Sequence, residues 1–149
     1  MNKRKILAIV MAVVMATAFL IGCGSKNSVK DDLINYDKEA SKAIEVMKSS
    51  NVSDMDKFQE SLNGVIKKIK KIDIKTDDVK DLNKLLIKAF EGLSDAYADS
   101  AKATKDLSVK LANQAKDKAE KAQKDMESFE KKYKALAKKE GVTIKLTVS

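Results

Sequence analysis

Cys23 is the single thiol of the chain, and it stands directly after Leu20, Ile21 and Gly22. The chain has no His and no Trp, so imidazole bases, Cys–His pairs and the usual zinc ligand sets are excluded by composition. Ser and Lys both abound, which leaves a Ser–Lys nucleophile pair chemically open, yet no flanking motif marks one. The distinctive chemistry is therefore that of the Cys23 sulfur. Gly22 and Gly24 flank it, and Ser25, Lys26, Asn27 and Ser28 follow, a setting with nothing to bury a thiol. Upstream lie the basic Lys3, Arg4 and Lys5, then an apolar run over residues 6–21 interrupted only by Thr17 and small residues. That is the layout of a secretory signal peptide, with a Cys where a small-residue cleavage site would stand. A membrane-spanning helix needs about 20 apolar residues; this run is shorter, and Gly22 to Ser25 end it at once.

Leu20, Ile21, Gly22 and Cys23 together resemble the lipobox of bacterial lipoproteins. The resemblance covers residues 1–23 and implies a sequence of modifications. The Cys23 thiol receives a diacylglyceryl group, a dedicated signal peptidase cuts after Gly22, and Cys23 becomes the lipidated first residue. It further implies attachment to the outer face of the cell membrane. Cys23 is the expected lipidation site, and Leu20, Ile21 and Gly22 are the expected cleavage motif. In size and in its Lys/Asp-rich helices, the body is similar to small helical lipoproteins of Gram-positive bacteria. That second likeness adds no functional residue.

Charge narrows the partners. The formal net charge is +8; loss of Lys3, Arg4 and Lys5 with the signal would reduce it by three to +5. Arg4 is the only Arg, and an all-Lys body is poorly suited to bidentate phosphate recognition. Nucleic acid is not expected as a partner of an exported, anchored domain. The modest Lys excess reads first as a solvated surface, and its functional reading is long-range attraction to lipid headgroups or cell-wall polyanions. The acidic pairs Asp31/Asp32, Asp54/Asp56 and Asp77/Asp78 could suggest hard-metal ligands. All three sit at helix starts, where they complement the helix dipole without a metal. No metal or cofactor site is expected.

The elements that carry these residues are helical. Pro is absent, and only Gly64, Gly92 and Gly141 punctuate the chain after residue 24. Ser28 and Asp31 open a first helix whose apolar stripe is Val29, Leu33, Tyr36, Ala40, Ala43, Ile44 and Met47. Ser53 opens a second, with Met55, Phe58, Leu62, Val65, Ile66, Ile69 and Ile72. Thr76 caps a third stripe that starts at Val79 and continues through Leu107 and Leu111 to Leu136. One helix of that span is too long for its partners, so a break is expected near 104–108, using Thr104, Asp106 or Ser108. The Ala-rich stretch 96–122 buries little area per residue and should be the less stable end. Phe58, Phe90, Phe129 and the tyrosines fall on the stripes, with tyrosine hydroxyls expected at the bundle rim.

The last residues change period. Val142, Ile144, Leu146 and Val148 alternate with polar residues in a strand-like pattern. An exposed strip of this kind invites aggregation, so the tail is expected to dock along a groove between helices, with its backbone left wet, or to add to a partner, the remaining reading being a frayed end.

The sequence thus predicts an all-α antiparallel bundle of three to four helices, the last one or two long. Residues 1–22 are the signal, 23–27 the tether, 28–141 the bundle and 142–149 an extended tail. The expected function is a lipid-anchored, extracytoplasmic, non-enzymatic interaction or envelope-associated module. One alternative is a binder of anionic cell-wall polymer or lipid headgroups through Lys faces; a hydrolase with cryptic residues is the other.

Overall fold

The computed structural model describes residues 28–48 and 55–146. Four helices account for most of them: α1 (Val29–Lys48), α2 (Met55–Lys70), α3 (Asp77–Asp106) and α4 (Val109–Glu140). No strand occurs among the described residues. The calls on Ser53 and Asp54 fall outside what is described, as does the tail beyond Leu146, and Asp56 lies in the first turn of α2.

Neighbouring helices run antiparallel. Asp78–Lys139, Lys88–Asp125 and Asp99–Lys118 climb α3 while descending α4. Lys70–Glu91, at 2.7 Å, and Phe58–Tyr97, with centroids 4.6 Å apart, do the same for α2 and α3. Among the described residues α1 packs on each of the other helices, whereas α2 and α4 do not meet. The stripes read from the sequence form the core: Leu33, Tyr36, Phe58, Leu62, Ile69, Val79, Leu86, Phe129 and Tyr133 are all buried. Burial of a large apolar side chain is worth about 1.5–3 kcal/mol, so this cluster is what holds four amphipathic helices together.

The helix ends follow local chemistry. Ser28 Oγ accepts the Asp31 N–H at 3.0 Å, closing the start of α1. The long third stripe breaks at Leu107, which takes a left-handed conformation (φ 49°) and donates its N–H to the Ala103 carbonyl. Ser108 then caps α4 by accepting the Leu111 N–H at 3.3 Å. Gly141 ends α4 in the left-handed region (φ 63°), where a glycine carries no Cβ penalty. Gly92 serves a different need: a Cβ there would lie 3.1 Å from the Ala122 Cβ, so its absence lets α3 and α4 cross closely.

One expectation about the third stripe is corrected. Leu107 is exposed, because the chain turns where a continuous helix would have carried it inward. The contiguous core stops at Leu93 on α3 and resumes at Ala122 on α4. Beyond it the buried apolar side chains along the hairpin are Ala96, Ala103, Ala115 and Ala119, with Ser94 the one buried polar side chain. From Tyr97 to Asp106, α3 extends about 14 Å further at ~1.5 Å per residue. The α3–α4 hairpin is thus an arm with an alanine seam.

Candidate functional site

Cys23 and the Leu20, Ile21, Gly22 motif lie outside the described residues. Within the bundle, the polar chemistry concentrates on two α1 carboxylates, Asp32 and Asp37, both buried. Asp32 lies one residue from Leu33 and Asp37 one from Tyr36, so each is carried inward by a core neighbour.

Asp32 reaches the connection between α2 and α3. It accepts the Thr76 N–H at 2.8 Å, the Thr76 hydroxyl at 2.6 Å and the Lys75 N–H at 3.1 Å. The sequence reading placed Asp32 in the helix dipole and Thr76 as the α3 cap. Both positions hold, Asp32 in the first turn of α1 and Thr76 at the N-cap of α3, but neither side chain serves its own helix end. Thr76 makes no side-chain cap because its hydroxyl is turned to Asp32, and Asp32 binds a loop 43 residues away. Only Asp31 behaves locally, paired with Ser28.

Asp37 is 5 % exposed and accepts three donors of its own. These are the Tyr133 hydroxyl on α4 and the N–H groups of Lys145 and Leu146, both at 3.1 Å. Leu146 is 1 % exposed, and Val142 and Ile144 pack against the same core. The tail therefore docks on the bundle as far as Leu146. Its backbone is not left wet there, as the sequence reading supposed: Asp37 takes over where a sheet ladder would have supplied partners.

Two of the three tyrosines depart from expectation, while Tyr97 is half-buried. Tyr36 and Tyr133 are buried rather than at the rim, edge-to-face with centroids 6.4 Å apart, and Phe129 stacks on Tyr133 at 5.3 Å. Burial raises the Tyr36 hydroxyl far above its ordinary range. Burial, then the hydrogen bond to Asp37, does the same for Tyr133. Tyr36 Oη, Ser41 Oγ and Asn83 Oδ1 are buried without a hydrogen-bond partner. With its oxygens engaged by fixed donors and its surroundings closed to solvent, Asp37 acts as a clamp on α4 and the tail. It offers no face to a substrate.

The charged surface is the other feature with chemical reach. Asp77 pairs with Lys80 at 3.2 Å, and Asp78 with Lys139 at 4.0 Å. Among the described residues no group of three or more acidic or Cys side chains could hold a metal ion. Lys70 and Lys139 are tied up in ion pairs. Lys110, Lys121, Lys124, Lys131 and Lys132 are different. They are exposed on the α4 face opposite Ala119, Met126 and Tyr133, and no ion pair among the described residues holds them. Asp117 is the one acidic residue within that row.

Most of the described serines have hydrogen-bond partners. Ser94 Oγ donates to Asn63 at 3.1 Å and Ser128 Oγ to the Lys124 carbonyl at 2.9 Å. Among the described residues no helix is long and apolar enough to cross a membrane. No protein-family model, curated protein or solved structure matches the chain.

Proposed function

We propose that the chain is a lipid-anchored, non-enzymatic helical module held on the outer face of the cell membrane through a diacylglyceryl group on Cys23. The observation that carries this reading is the order of residues 1–23: basic start, short apolar run, then Leu20, Ile21, Gly22 and Cys23. Gly24 to Asn27 leave only four residues between the lipidated Cys and Ser28. At up to ~3.6 Å per residue, such a tether keeps the start of α1 within about 15–20 Å of the bilayer. The test is chemical. The intact mass of the mature N-terminus should show cleavage after Gly22 and acylation of Cys23. Cys23→Ala should leave the membrane fraction after a high-salt wash; if it stays, another element anchors the chain.

The exposed Lys row on α4 favours a second reading, in which the module binds anionic envelope polymer or lipid headgroups. Attraction by exposed Lys is long-ranged and screened by salt, with a Debye length of about 8 Å at physiological ionic strength. Binding carried by this row should therefore fall steeply as salt is added, and a Lys121→Glu, Lys124→Glu, Lys131→Glu variant should lose it.

A further inference from the structure

The apex of the α3–α4 hairpin is the most exposed apolar feature among the described residues. Leu107 is 89 % exposed and Val109 75 % exposed, on either side of the Ser108 cap. Leu107 is the only non-glycine residue with positive φ among them. Polar residues or Gly ordinarily fill such a position. At this apex the chain instead holds a large apolar side chain outward at a conformational cost. Lys102, Lys105 and Lys110 surround it against Asp106 alone. No core residue lies beneath it, because the arm beyond Tyr97 and Ala122 contains only the alanine seam.

We infer that this apex is a lipid-inserting tip: Leu107 and Val109 enter the headgroup region of an anionic bilayer while Lys102, Lys105 and Lys110 meet its phosphates. Two side chains decide between occupants. A stable contact with a second copy or another protein buries about 800 Å² per partner, far more than this apex can offer. A bilayer needs only a few apolar side chains to enter, reinforced by neighbouring lysines. A soluble polyanion would use the lysines and gain nothing from Leu107 and Val109. The inference does not depend on Cys23: the apex is at the far end of α3 from the loop that Asp32 clamps beside the start of α1.

The chain has no Trp, so Leu107→Trp in the full chain is a reporter of the tip alone. Vesicles of phosphatidylcholine with phosphatidylglycerol should shift its emission to the blue, and brominated acyl chains should quench it. Lys67→Trp, on the exposed face of α2, should show neither effect, and the Leu107→Trp shift should persist with Cys23→Ala. Leu107→Asp with Val109→Asp, in the Cys23→Ala chain, should lower vesicle affinity at least about tenfold. Vesicle binding with unshifted Leu107→Trp emission would overturn the inference, since residues 6–21 or the α4 Lys row would then carry the binding. A shift produced by soluble polyglycerol phosphate without vesicles would assign the apex to polymer. A concentration-dependent shift in buffer alone would assign it to a second copy.

Discussion

The Tyr133 hydroxyl donates a hydrogen bond to the Asp37 carboxylate, joining residues 96 apart in the sequence. The same carboxylate holds the Lys145 and Leu146 N–H groups, so one α1 side chain fixes α4 and the tail together. Each buried donor left unpaired costs about 1–3 kcal/mol. Asp37→Ala, which strands all three, should destabilise the bundle by about 2–4 kcal/mol, and Tyr133→Phe by about 1–2 kcal/mol. In urea unfolding the double variant should deviate from additivity by at least about 0.5 kcal/mol. Strict additivity would mean that the two side chains do not interact.

The same contact sets a pH response. The raised pKa of Tyr133 means that the neutral hydroxyl is the form the folded site accepts. Its stabilising share is complete below the ordinary tyrosine value of 10.0 and is lost as pH rises through and beyond it. Tyr36 acts in the same direction. Between about pH 9 and pH 11, the urea midpoint of the parent chain should fall more steeply than that of Tyr133→Phe. Parallel slopes would show that groups common to both chains, Tyr36 among them, account for the whole alkaline loss.

The two helix-interior glycines should respond oppositely to substitution. A Cβ at Gly64 would meet nothing within 4 Å, so Gly64→Ala should stabilise by about 0.5–1 kcal/mol through helix propensity and a less flexible unfolded chain. Gly92 faces Ala122. Gly92→Leu must push α3 and α4 apart and should cost about 1–3 kcal/mol. Thermal unfolding of the two variants checks both signs, and a stabilising Gly92→Leu would mean that the helices do not cross closely there.

What the sequence made legible was whatever repeats along a helix. The 3.6-residue stripes named Leu33, Leu62, Val79 and Phe129 as core, and all are buried. Ser108 and Gly141 were readable as stops because caps have local chemistry. Asp32 and Asp37 were not readable. An Asp in the first turns of a helix looks the same whether it faces the dipole or a loop 43 residues away, and only the packing of α1 against the loop and the tail distinguishes them. Asp37 does sit between stripe positions Tyr36 and Ala40, and that was the one available signal. Leu107 failed for a related reason: periodicity assigns it inward until the turn is placed between Asp106 and Val109.

The tail should behave as part of the bundle. Leu146→Ala should cost about 2–5 kcal/mol, the range for a fully buried Leu in a site that cannot collapse. Deletion of residues 142–149 should cost at least as much, because it also strands Asp37. Hydrogen exchange at the Lys145 and Leu146 amides should be slowed in the parent chain and fast in Asp37→Ala. An unchanged melting temperature after deletion would mean that the tail adds nothing to the bundle.

The apex predicts a conflict between stability and use. A non-glycine residue in the left-handed region costs about 1–2 kcal/mol, and Leu107 at φ 49° recovers little of that by packing, being 89 % exposed. The chain places Gly at the matching position at the end of α4, where Gly141 adopts φ 63°. Leu107→Gly should therefore raise stability, by about 0.5–1 kcal/mol after allowing for the more flexible unfolded glycine. If the side chain is there to enter lipid, the same variant should bind anionic vesicles more weakly despite its higher melting temperature, a trade expected where a strained residue serves function. Two measurements on one variant separate the cases. Higher stability with unchanged vesicle affinity would leave the strain at Leu107 without a use in lipid binding. Lower stability would show that Leu107 packs on the arm, and the apex would no longer be an open tip.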